Sequence, residues 1–341
     1  MPTANPDILA LHHETVVFDA ATLRYATTEP YASRIHAAGV DVISLTMASE
    51  QDSWEDTLQH IEVVHDRLSK VPFFKHCMTH ADVMAAVAAG KTAVIFGTQG
   101  ATPIGTKLWR LRTLHRLGVR FFGLAYTGAS LFGDGCGEWR NAGLTFLGQE
   151  LIALANEIGM IVDLSHCGHQ TRLEAAEAAR FPVCTHSNAY SVTPNDRNTK
   201  DDAALAIAAN GGVVGVTGLV RAVAEKDPTL DHIVDHVDYL VNLLGPAHVG
   251  IGLDMTEGFQ DAVKAGQQAM VKPPKWRTLR PDIFGTAADF YTVPYPRGIE
   301  TISQLPDLTA ALVGRGYPRD QVQDIMGHNW LRVFHEATKA A

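Results

Sequence analysis

The chain has 341 residues, 46% of them apolar and 19% charged, with a formal net charge of −9. That is an ordinary globular balance with enough length for a large core, and it excludes the basic character that nucleic acid or an anionic membrane surface requires. No run of 18 apolar residues offers a membrane span.

The first residues lack the charged and apolar regions of a secretory leader. Cys77, Cys136, Cys167 and Cys184 form no CxxC pair. The expectation is a soluble, reduced, cytoplasmic protein. Residues 15–19 read as a first strand and 39–46 as a second. A helix pattern covers 54–68, with Leu58, Ile61, Val64 and Leu68 on one face, and another covers 81–89 before Gly90. Strands at 91–97 and 119–125 flank a helix at 108–117. Then come helix 144–158, stopped by Gly159, and strand 160–164, helix 171–179 and strand 182–186. Helix 201–209, strand 213–217, helix 230–243 and strand 249–254 complete the alternation. Eight βα units with near-continuous apolar strands predict an α/β fold, a parallel sheet covered by helices. A closed (β/α)8 TIM barrel in one domain over 1–341 is its most economical form. Residues 255–296 show no period and read as an insertion over the carboxyl-end face: a lid, a dimer contact or a surface loop. Residues 318–334 read as a C-terminal helix. His12, His13, His60 and His65 read as surface residues.

Two strand patterns end in a histidine, at Leu164-Ser165-His166 and at Cys184-Thr185-His186. Strand carboxyl ends share one mouth in a barrel, so two neutral imidazoles there suit Zn²⁺; the plainer reading makes each a polar cap on its strand. Asp254 ends the eighth strand after Gly250-Ile251-Gly252. A carboxylate there serves as general acid/base or metal ligand, or caps the next element of the chain. Arg197-Asn198, in the loop after strand six, offers a guanidinium that could clamp a carboxylate, or an exposed arginine. Asp163 stands where a carboxylate could orient a metal ligand or bond nearby backbone. Tyr126, after strand four, could donate to an oxyanion or pack at the rim. Cys136, Cys167 and Cys184 read as buried thiols.

These residues resemble the membrane (renal) dipeptidases, zinc metallopeptidases on a barrel of the metallo-dependent hydrolase kind. The resemblance runs from about Asp19 to Phe334. It is carried by 159–166, by Thr185-His186-Ser187-Asn188, by Arg197-Asn198, by 209–216, by 248–254 and by 326–334. In that family two zinc ions share a bridging carboxylate and activate a water that attacks a dipeptide bond. The resemblance implies that His166 and His186 bind one zinc, Asp254 is the acid/base, and Arg197 holds the substrate carboxylate. It also implies a homodimer, as family members often are.

The departures lie at the other metal. Where the family has Asp-Gly-His-Asn-Asp, this chain has Asp19-Ala20-Ala21-Thr22-Leu23, with Ala21 and Leu23 at the ligand positions. The bridging glutamate is Gln99, and a histidine after strand four is Tyr126. Losing two carboxylates disfavours a second divalent ion, so the expectation is one zinc. Glu50 and Asp52 are the candidates for a further ligand. The functional expectation is a dipeptidase-like metallohydrolase acting on a dipeptide or a small carboxylate-bearing amide. The alternatives are a lyase, isomerase or specialised amidase without metal, with Gln99 and Tyr126 as substrate contacts, and a non-catalytic binding protein.

Overall fold

The computed structural model describes residues 5–267, 278–286 and 295–339. The barrel is built from strands β1 (Phe18–Thr22), β2 (Val42–Ala48), β3 (Phe74–His76), β4 (Thr92–Thr98), β5 (Val119–Gly123), β6 (Ile161–Asp163), β7 (Pro182–Val183), β8 (Val214–Val216) and β9 (Val249–Ile251). All pairings between these strands are parallel, in the order β1-β2-β4-β5-β6-β7, with β3 lying against β4 outside that path and β8 paired with β9. A parallel bridge between Cys184 and Val214 joins β7 to β8. The amide of Asp254 donates to the Ala21 carbonyl at 3.0 Å, which carries the end of β9 back to β1. The expected eight-stranded parallel barrel is therefore present. The short strand β3 and an N-terminal helix, Pro6–Glu14, are additions that the apolar pattern does not announce.

The barrel interior and its bottom are packed by one apolar cluster. Phe18, Val42, Ala93, Ile95, Phe121, Ile161, Val183 and Val213 come from the strands, and Trp330 and Phe334 come from the C-terminal helix. The strand residues lie mostly near strand starts, so the final helix closes the amino end and leaves the carboxyl end open as the mouth. Each such aromatic, taken fully out of water, contributes ~1.5–3 kcal/mol. Gly250 is required here, because a Cβ would stand 2.4 Å from Trp330 Nε1. Gly252 is required one layer up, where a Cβ would meet the Thr185 carbonyl at 1.8 Å.

Two expectations change. The C-terminal helix runs beyond 334 and is not regular: Arg319–Gln323 leads into a π segment, Asp324–His328, and then Asn329–Lys339. His12 is buried, with Nδ1 2.8 Å from Thr309 Oγ1 and Nε2 2.9 Å from the Ala38 carbonyl. Both ring nitrogens have partners, which is what permits a polar ring in that interior. Of the insertion at 255–296, residues 268–277 and 287–294 lie outside the described residues. Its described parts are residues 255–267, with a helix at Phe259–Lys264, the 278–286 segment and residues 295–296. That segment reaches the mouth: Arg280 donates to Asp196 at 2.6 Å, and Asn195 Nδ2 donates to the Ile283 carbonyl at 3.2 Å. Among the described residues no helix is long and apolar enough to cross a membrane.

Candidate active site

Asp163 ends β6 and organises the tips of β6 and β7. Its Oδ1 accepts from Ser165 Oγ at 2.5 Å, Ser165 N at 3.1 Å and Thr185 N at 2.9 Å. Its Oδ2 accepts from Thr185 Oγ1 at 2.6 Å. A carboxylate only accepts, so it takes the single proton of each hydroxyl. Thr185 Oγ1 has then no proton left for His186 Nδ1, 2.6 Å away, and must accept from it. His186 is thereby held as the Nδ1–H tautomer, with its Nε2 lone pair directed at His166 Nε2, 3.0 Å away. Burial drives both imidazoles well below the ordinary histidine range, and the nearby Arg197 guanidinium pushes the same way. They are uncharged at neutral pH. The Tyr126 ring stacks on His166 at 3.8 Å between centroids and 18° between planes, which fixes the imidazole plane.

Arg197 is fully buried. Its Nη1 donates to the Ser165 carbonyl, while Nε and Nη2 have no hydrogen-bond partner. Two buried, unpaired N–H groups on one guanidinium carry an unmet desolvation cost, and their fork matches a carboxylate. Asn198 is placed differently from its neighbour. Its Nδ2 donates to the carbonyls of Thr193 at 2.9 Å and Ala222 at 2.8 Å, so it ties down the loop that presents Arg197.

Asp254 follows β9 with φ at +50°, a left-handed conformation. Burial raises its pKa, the Arg197 charge and the Gln99 carboxamide oppose that rise, and the Asp163 charge adds to it. Gln99 is itself buried, and its Nε2 makes no hydrogen bond of ordinary geometry. Asp254, Gln99 and Arg197 are thus brought into one electrostatic group. Asp19 lies behind them, its carboxyl pushed up to about 7 by burial against the lowering effect of three hydrogen bonds.

The rest of the mouth decides how many cations the residues suit. Ala21 is 2% exposed and carries no donor atom. Leu23 packs in an apolar cluster with Tyr25, Tyr31 and Phe259. Asp52 accepts from Ser49 N at 2.7 Å and Ser49 Oγ at 3.0 Å, and Glu50 accepts from Gly128 N at 3.4 Å. Among the described residues no third His, Cys, Asp or Glu joins His166 and His186. The two converging, uncharged nitrogens fit one zinc-like ion with open positions. Ala21, Leu23 and Gln99 do not fit a second one.

Three contributors escape reading from the chain. Arg172 lies in helix His169–Ala178 yet is fully buried. It donates to the carbonyls of Leu164 at 3.1 Å, Ser165 at 3.1 Å and Asn198 at 2.8 Å, joining the β6 tip to the Arg197 loop. An arginine in a weakly patterned helix gives no signal of this. Ser165 and Thr185 sit one position before the histidines, and only the fold turns them onto one carboxylate. The buried thiols are as expected: Cys136, Cys167 and Cys184 are free, and burial pushes each upward.

Comparison with known proteins shows the family and the fold. The family model of the membrane dipeptidases, peptidase family M19, matches residues 12–270 and 281–341. The dipeptidase tcpJ of Claviceps purpurea is 30% identical over 297 residues, covering 85% of this chain and 61% of the relative. The chain therefore spans about three-fifths of the length of that curated relative. An amidohydrolase from Pseudomonas aeruginosa superimposes with a TM-score of 0.81 at 25% identity, covering 97% of this chain and 99% of that one. A metallopeptidase from Rhodobacter sphaeroides, solved with a phosphinate mimic of the dipeptide L-Ala-D-Ala, has the same fold, with a TM-score of 0.75 at 22% identity and coverage of 95% and 99%.

Proposed function

This chain belongs to the membrane dipeptidase family, and from that premise we propose that it is a dipeptidase-like metallohydrolase cleaving a dipeptide or a small carboxylate-bearing amide. The observation that carries the reading is Arg197: a buried guanidinium with two unpartnered N–H groups, beside an uncharged histidine pair and a half-buried aspartate whose pKa is raised. Nothing in the site favours a lyase, an isomerase or a binding protein over this.

His166 and His186 would hold one zinc ion through Nε2. When bound, zinc supplies a Lewis acid and a water of lowered pKa. Arg197 grips the substrate carboxylate through Nε and Nη2 and so fixes the scissile bond relative to the histidines. Asp254 takes the proton of the attacking water and returns it to the leaving amine nitrogen. Gln99 contacts substrate in the place of a carboxylate, and the Tyr126 hydroxyl is assigned to the developing oxyanion. Asn198 supports the clamp by holding its loop. The working form proposed is a cytoplasmic homodimer. Four free, buried cysteines support the reducing compartment. The exposed Phe146, at the start of helix Phe146–Ile158, and Leu131, in a loop bonded to its N-cap Thr145, at 87% and 52% exposure, support an apolar contact between copies.

Protein purified without added metal is expected to carry close to one zinc per chain by mass spectrometry, to lose it in His186→Ala, and to hydrolyse members of a dipeptide panel. Metal-free protein that shows no turnover even after zinc is added would reject the reading. Thr185→Val is expected to weaken zinc binding about 10- to 100-fold, because the outer partner of a ligand imidazole is lost. Thr185→Ser, which keeps the hydroxyl, should bind as the parent does. Competition against a chromophoric chelator measures both, and equal affinities for all three proteins would remove Thr185 from the account.

A further inference from the structure

Leu253 lies between the last barrel strand and Asp254, and side chains hold both of its backbone polar groups. Its N–H donates to Asp19 Oδ1 at 2.8 Å. Its carbonyl accepts from Thr217 Oγ1 at 3.2 Å and from the Tyr295 hydroxyl. The next N–H, of Asp254 itself, donates to the Ala21 carbonyl at 3.0 Å. Asp19 is in turn oriented, its Oδ1 accepting from Ala21 N at 3.2 Å and its Oδ2 from Thr22 Oγ1 at 3.1 Å. Asp19, Thr217 and Tyr295 are all buried. They come from β1, the residue after β8 and the last residues of the 255–296 insertion, so only the closed barrel brings them together.

What they surround is unusual. Asp254 has φ at +50°, a left-handed conformation that aspartate tolerates but that few non-glycine residues adopt. We infer that Asp19, Thr217 and Tyr295 form a clamp on the Leu253 peptide groups that holds Asp254 in its left-handed conformation and aims its carboxylate into the mouth. Asp19 is thus a positioning residue, which acts through Leu253 and does not touch substrate. This explains a carboxylate at a site where desolvation opposes its charge: it is an acceptor for two backbone N–H groups at the junction where the barrel closes. The kinetic consequence rests on the reading of Asp254 as the proton carrier; the backbone consequence does not.

The test uses the full chain with Asp19→Ala, Asp19→Asn and Tyr295→Phe, each read by the φ of Asp254 in a crystal structure and by kcat and KM on a dipeptide. In Asp19→Ala, φ is expected to relax to the ordinary negative region and kcat to fall about a hundredfold, as for a misplaced reacting group, with KM nearly unchanged. Asp19→Asn keeps an oxygen for the Leu253 N–H and is expected to retain both φ and most of kcat. In an Asp254→Asn background, Asp19→Ala should cause no further loss, since residues acting through one group are not additive. A φ that stays positive in Asp19→Ala overturns the inference whatever the rates do, and a fully additive double variant overturns the route through Asp254. Should Asp19→Ala fail to fold, the φ of Tyr295→Phe decides in its place, and a positive value there overturns the clamp. Should the parent hydrolyse no dipeptide, the proposed function fails, while the φ readings still decide the clamp.

Discussion

Asp254→Asn is expected to reduce kcat by about 10²- to 10⁴-fold, the usual worth of a positioned acid/base, and to leave KM close to that of the parent. The substitution is nearly isosteric, and asparagine tolerates the left-handed region as readily as aspartate, so the chain should fold normally. The amide can neither take a proton from water nor return one to the leaving nitrogen. Carboxylate binding is assigned to Arg197 in the proposed function, and the change does not touch it, so the loss is expected in the chemical step. Steady-state kinetics with matched zinc content checks it. A variant that keeps more than half of kcat would show that the proton travels by another group.

Arg197→Lys is expected to raise KM about 10- to 100-fold, because a charged hydrogen bond contributes ~1.5–3 kcal/mol and a lysine cannot reproduce the forked pair. The change keeps the positive charge that opposes the rise in the Asp254 pKa and keeps the histidine pair uncharged, so kcat should move much less. Substrate design makes the test sharper. On a substrate whose carboxylate is converted to an amide, parent and variant should differ little, since neither has an anion to grip. Equal KM values for parent and variant on the free acid would take the clamp away from Arg197.

The candidate site was legible to unequal degrees. His166, His186 and Asp254 could be picked out because each ends an apolar run, and in a parallel barrel strand ends converge by construction. The lack of ligand atoms at Ala21 and Leu23 was also readable, because alanine and leucine carry none in any fold. Arg197 was legible only as one of two options: nothing in the chain says whether an arginine is buried. In the structure Arg197 is fully buried and its Nη1 donates to the Ser165 carbonyl, while its neighbours Asn195 and Asp196 bond to the 280–283 segment. The packing uses the Asn198 amide nitrogen for the loop and leaves its buried Oδ1 without a partner.

The amino-acid sequence by itself determined the alternation of strands and helices, the barrel class, the net negative charge and the residue types at the strand tips. Those are local properties, set by periodicity of two or 3.6 residues and by which atoms a side chain carries. Only the tertiary structure decided the proton positions and the backbone conformation at Asp254. The tautomer of His186 is set by two hydroxyls, 20 residues apart, that share one carboxylate. The left-handed Asp254 is held by Asp19, 234 residues before Leu253 in the chain. Contacts at such separation depend on how the barrel closes, and no local pattern encodes that closure.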